Sequence, residues 1–245
     1  MDRFTIGGVL NTGFSVFFRN FIPFTIIAAL VYLPVIIGTA VLLANPLDHE
    51  TYAIWNFVLA LVKMIVNLVV TAALTYGVIM QLNGTKASLG SCIATGFSRL
   101  LPVLAVTLLL FFILMLGFVA LIVPGVILYL MFFVATCVAV VEKPGVLASL
   151  SRSRELTRGR KGELFLIVLI MFGMAFFFGA FLAIGFIPKY GTNGEFETLP
   201  LYIWLRLAID ILVSSLTATM TAAAYYFLRR EKEGTSTEAL AQVFA

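Results

Sequence analysis

The sequence predicts an all-α integral membrane protein. Six transmembrane helices are expected as three hairpins, each preceded by a cytoplasmic interfacial amphipathic helix. Three observations predict this. Apolar residues make up 62% of the 245 residues and charged residues 11%, against roughly 45–50% and about 25% in soluble domains. Such a chain cannot cover an apolar core with charge and must use lipid as solvent. Six stretches reach or approach the roughly 20 apolar residues that cross about 30 Å of hydrocarbon. Lys and Arg collect in the segments on one side of those stretches. A soluble enzyme, a secreted disulfide scaffold and a disordered regulator are excluded.

The spans follow in order. Phe21–Ala44 is uncharged, with Pro23 near its start and Pro34 inside, where a kink is expected. Ile54–Leu82 carries one charge, Lys63. From Leu101 to Val141 there is no charge at all, and Pro124-Gly125 divides the stretch into spans at 101–123 and 126–141. The second of these is short for a crossing. Leu164–Ile187 and Leu201–Leu228 complete the set, the last interrupted by Arg206 and Asp210. Residues 1–228 are thus one transmembrane domain, and 229–245 a cytoplasmic tail. The first 20 residues lack the pattern of a cleavable signal peptide, so the first span is expected to be retained.

Charge sets the expected orientation. Thirteen of the 16 basic residues fall in the N-terminus, the loops 83–100 and 142–163, and the tail. The other side holds Lys189 with Asp48, Glu50, Glu195 and Glu197. Basic loops mark the cytoplasmic face, which puts both termini inside a bacterial cytoplasmic membrane.

Three cytoplasmic segments read as foot helices. Ile6, Val9, Leu10, Gly13, Phe14 and Phe17 recur at helical spacing, as do Leu89, Cys92, Ile93, Gly96, Phe97 and Leu100. The two share Gly-Phe-Ser at 13–15 and 96–98, then Pro23 and Pro102. The third, Val146–Arg160, is more basic. Helices of this kind suit the headgroup region, apolar face down. Small residues at every fourth position favour close helix packing in lipid. Ala175, Gly179 and Ala183 in the fifth span and Ser214, Ala218 and Ala222 in the sixth are therefore expected to face each other.

Several motifs resemble a known family. Phe-Phe-Arg-Asn at Phe17–Asn20 precedes the first span. Ile-Val-Pro-Gly at Ile122–Gly125 leads to Glu142-Lys143-Pro144-Gly145-Val146, then Leu150-Ser151-Arg152-Ser153 and Leu156-Thr157-Arg158-Gly159. This pattern resembles the YciC-type family of bacterial inner-membrane proteins. It is also similar to the membrane-anchor domain that precedes some glycerophosphodiester phosphodiesterases, and is most specific over residues 121–162. The resemblance implies a six-span inner-membrane protein associated with envelope or lipid homeostasis, with no catalytic residue to carry over. The phosphodiesterase itself needs a soluble barrel with paired histidines, and this chain has His49 only.

Candidate chemistry is sparse. Lys63 and Asp210 each lie nine residues inside their span, about 13–14 Å deep. A lone charge there costs about 2.5–3.5 kcal/mol, so each should find a partner at its own depth. Arg206 lies one turn from Asp210 and Asn67 one turn from Lys63. The cluster reads either as a polar pathway or as an ion pair docking the second span on the sixth. The second reading is preferred, because one acid and two bases are few for a conduction path. Arg152, Arg154, Arg158, Arg160 and Lys161 read as contacts to anionic headgroups at about 1 kcal/mol each. His49 between Asp48 and Glu50 reads as a solvated loop rather than a metal site. Cys92 and Cys137 have no metal-site spacing, and no Walker loop, nucleophile elbow, His-Glu-x-x-His or Cys-x-x-Cys occurs.

The expected function is accordingly non-enzymatic, with no cofactor or metal. Membrane lipids are the expected partner, nucleic acid is not, and a membrane-protein partner or a second copy stays open. The leading reading is a lipid-interacting protein of membrane homeostasis. The alternatives are a small transporter or channel using Lys63, Asn67, Arg206 and Asp210, and a scaffold or immunity-type partner of another membrane protein.

Overall fold

The structure is a computed structural model, which describes residues 4–45, 48–85, 87–190 and 199–233, excepting the side chains of 49, 120 and 187–190. Lys86, the side chain of His49, residues 191–198 and most of the tail, among the expectations above, lie outside it. The described residues are helical, with no strand. Five helical segments are long and apolar enough to cross a membrane: Glu50–Leu82, Leu100–Val119, Ile122–Val141, Lys161–Phe186 and Pro200–Glu233.

The first apolar stretch contributes no single helix of that length. The foot α1 (Ile6–Arg19) starts at Thr5, whose hydroxyl accepts from the Gly8 N–H at 3.1 Å, and bends by 77° at Asn20 into α2 (Phe21–Val31). A one-residue break at Tyr32 separates α2 from α3 (Leu33–Ala44). Pro34 has no N–H to return to Leu30, so the helix breaks two residues ahead of it. α4 (His49–Leu82) is 34 residues long, about 51 Å. It begins before Ile54, where Asp48 accepts from the Thr51 N–H at 3.1 Å. A hydrogen bond from the Thr51 hydroxyl, and after it this backbone one, holds the Asp48 carboxyl below its usual range. α5 (Leu89–Ser98), the second foot, is capped by Ser88.

The next hairpin corrects the expected turn. α6 (Leu100–Ala120) ends at Leu121, which is extended, and α7 (Ile122–Met131) begins immediately. Pro124 thus sits in the first turn of α7, where a missing N–H is harmless. Gly125 packs on α6, since a Cβ there would meet the Phe118 ring at 2.6 Å. The fourth span therefore begins at 122, not 126, and is no longer short. It is broken at 132–134 before α8 (Ala135–Val141). No proline or glycine lies at the break. Instead, the freed carbonyl of Met131 accepts from Ser153 at 3.0 Å and Thr157 at 3.1 Å, both on the third foot α9 (Val146–Thr157). Hydroxyls entering the backbone ladder are a known cause of such kinks.

α10 (Lys161–Tyr190) and α11 (Pro200–Glu233) complete the bundle. α11 is the centre: Ser215 and 218–226 are all buried, against α4 and α2 on one side and α8 to α10 on another. α10 is peripheral, with Phe172, Phe176, Phe177 and Phe181 exposed. This corrects the small-residue contact. Ala218 and Ala222 pack with Val66, Val69 and Val70 of α4, not with α10. Gly179 is exposed, with nothing within 4 Å of a Cβ built on it, and Ala183 is half-buried. Ala175 lies near α11, among larger residues such as Met174, Leu216 and Met220.

The shared Gly-Phe-Ser has a structural meaning. Gly13 faces Met220 of α11, and Gly96 faces the Val69 carbonyl and Ala73 of α4. Phe97 is exposed and Phe14 half-buried. In each foot the glycine thus lets the helix dock on a span while the aromatic ring turns away. The face carrying α1, α5 and α9 is called the foot face below, and the opposite one the far face.

Candidate functional site

Two places bring polar side chains together. On the foot face, Glu142 at the end of α8 accepts from Tyr225 at 2.8 Å and from Arg152 at 3.2 Å. Arg152 also pairs with Glu155 and Glu233. Arg160 pairs with Glu163 at 2.8 Å and with Glu231 at 2.7 Å, and Glu231 accepts from the Phe4 N–H at 2.7 Å. These bonds tie the end of α11 to α9, α8 and the chain's start. They correct the reading of the arginine foot: Arg152 and Arg160 are engaged within the protein, whereas Arg154 and Arg158 are exposed and Lys161 is half-buried. The acidic partners at 231 and 233 lie over 70 residues away in sequence.

The second place is in the bundle. Lys63 of α4 donates to Asp210 of α11, and four residues on Ser214 donates to Asn67 at 2.6 Å. Both pairs are separated by 147 residues, so the two helices run parallel and in step. Lys63 and Asp210 are not sealed in. Their side chains remain 40% and 29% exposed, because a cavity of about 470 Å³ opens from them toward the far face. Tyr52, Asn56 and Lys63 line it from α4, and Tyr202, Arg206 and Asp210 from α11, with α3 closing one side. Arg206 donates to the Tyr202 hydroxyl at 3.4 Å.

Tyr202, Arg206 and Asp210 recur every fourth residue, and Tyr52, Asn56, Lys63 and Asn67 follow at 4, 7 and 4, so each set occupies one helical face. The cluster expected from sequence, Lys63, Asn67, Arg206 and Asp210, leaves out Tyr52, Asn56 and Tyr202. The polar periodicity on an otherwise apolar helix was the available signal.

An apolar groove of about 450 Å³ adjoins this cavity between α3 and α4. Gly38, Val41, Trp55, Val58 and Val62 line it, and it shares Leu42 and Leu59 with the polar cavity. Gly38 permits the close approach of the two helices, since a Cβ there would meet Leu59 at 2.5 Å. Among the described lining residues Lys63 and Arg206 are basic and Asp210 is acidic, so the polar part can hold a charged headgroup. A polar chamber thus lies beside an apolar groove, the pairing of surfaces that a molecule with a polar head and an oily chain would need.

Among the described residues no three His, Cys, Asp or Glu side chains converge as a metal site. Cys92 and Cys137 are buried. Burial pushes the Cys92 thiol up to about 11, which suppresses its thiolate at neutral pH. No family model, curated protein or solved structure matches the chain.

Proposed function

We propose that this chain is a non-enzymatic, multi-pass protein of a bacterial cytoplasmic membrane that binds an anionic lipid between α3, α4 and α11. Its foot face is cytoplasmic, with both termini there, and Phe21–Ala44 is a sixth, broken crossing. The role is lipid handling in membrane or envelope homeostasis, in keeping with the YciC-type resemblance. The observation that carries this reading is that the polar cavity and the α3–α4 groove lie side by side, with Leu42 and Leu59 lining both. A purely aqueous solute would have no use for the groove, and a purely apolar one none for Lys63, Arg206 and Asp210.

The test fills the groove and leaves the polar part alone. Val58 is 39% exposed, so a tryptophan there meets lipid rather than core. Native mass spectrometry of the full chain in mild detergent is expected to show one retained phospholipid, with occupancy reduced at least about fivefold in Val58→Trp. Equal occupancy in both proteins would overturn the proposal. The transporter reading draws on the cavity's reach to the Lys63–Asp210 pair. It requires charged-solute flux across vesicles carrying the protein, lost in Arg206→Gln, with lipid occupancy insensitive to Val58→Trp.

A further inference from the structure

The foot face holds a cationic pair that its ion-pair network leaves unused. Among the described residues, Arg152, Arg160 and Arg229 all form salt bridges, whereas Arg99 and Lys143 form none. Both line a cavity of about 130 Å³ where the start of α6 meets the α8–α9 connection. That is about four times the ~30 Å³ share of one water. Pro102, Val106, Ala139 and Val146 form apolar walls, and no carboxylate is among the lining residues. Glu142, next to Lys143 in sequence, is engaged with Arg152 and Tyr225.

Arg99 Nε is buried and has no hydrogen-bond partner. A guanidinium is always charged, and leaving its buried donor unmade is costly, so the atom calls for an acceptor. The first turn of α9 also borders the cavity. Its N-cap is Gly145, which offers no side chain to accept from the helix's free N–H groups. The positive end of a 12-residue helix thus joins two cations around one small space. Lys143 is held there at φ 56°, the only non-glycine residue with positive φ among those described.

We propose that Arg99, Lys143 and the first turn of α9 form a binding site for the phosphate of an anionic lipid headgroup on the foot face. Lipid is the source because the site is flanked by exposed apolar residues, Phe97 and Leu101 beside Arg99 and Leu147 on α9. Such residues lie in the interface where headgroups are concentrated. The site is separate from the far-face cavity and does not depend on the function proposed for it.

The test titrates the full chain in detergent micelles with phosphatidylglycerol or phosphatidylcholine and reads bound lipid by native mass spectrometry. Phosphatidylglycerol affinity is expected to fall about tenfold in Arg99→Gln and in Lys143→Gly, and to be unchanged in Arg19→Gln, which removes an exposed cation of α1 from the same face. Lys143→Gly separates binding from folding. Glycine adopts positive φ without strain, so without lipid its melting temperature should equal or exceed that of the parent. An equal loss in Arg19→Gln would show diffuse attraction and overturn the site, as would no loss in either site variant. Displacement of the lipid by millimolar inorganic phosphate would also overturn it, in favour of a free-phosphate site.

Discussion

Asp210→Leu is expected to destabilise the bundle by about 1–2 kcal/mol, and adding Lys63→Met is expected to recover most of that loss. Lys63 and Asp210 connect α4 to α11, the two central helices. Removing the carboxylate leaves an ammonium deep in the apolar bundle without its partner. For a sealed pair the cost would be about 3–5 kcal/mol. Here the cavity leaves Lys63 40% exposed, so water reaches it and the cost falls. The double variant removes both charges, and apolar replacement of an ion pair is often neutral. Thermal unfolding of the four proteins of the cycle in one detergent gives the coupling energy directly. Independent effects of the two substitutions would mean that the pair does not hold α4 to α11.

Gly96→Leu is expected to cost about 3 kcal/mol or more, through release of α5 from α4. A Cβ on Gly96 would lie 2.8 Å from the Val69 carbonyl oxygen and 3.0 Å from the Ala73 Cβ, and neither atom can swing aside. Overpacking of this kind costs about 1–3 kcal/mol for smaller additions. Gly13 offers the contrast. Its Cβ would press on the Met220 sulfur, the flexible part of an adaptable side chain. Gly13→Ala should therefore cost less than Gly96→Ala, although the two glycines occupy the same place in a shared motif. The reverse order would show that the feet do not dock through these glycines.

The class of fold was legible because crossing a bilayer needs about 20 apolar residues, which no turn or loop can imitate. The equal depth of Lys63 and Asp210 was legible for a related reason: charge is so costly in lipid that each lone residue points to its partner. Local pattern says less about which elements meet. Ser214, Ala218 and Ala222 read as a packing face, but not as one packed on α4 rather than on the neighbouring α10. The acids at 231 and 233 that claim Arg160 and Arg152 come from the far end of the chain, so the arginine foot read as free. Pro124-Gly125 suits either a turn or a first helical turn, and only the extended Leu121 decides between them. The break between α7 and α8 has no local signal, because Ser153 and Thr157 reach it from another helix.

The central claim is that a polar cavity between α3, α4 and α11 opens on the outer side of the membrane and is shared with lipid. Ala60 lines that cavity one turn from Lys63, and the native thiols at Cys92 and Cys137 are buried and should stay silent. The decisive measurement is the rate at which a membrane-impermeant maleimide labels Ala60→Cys in intact cells. Labelling from outside, slowed when an anionic lipid is supplied to purified protein under the same reagent, is the predicted result. A cysteine that stays unlabelled until the membrane is opened, or one that lipid leaves equally reactive, would contradict the account.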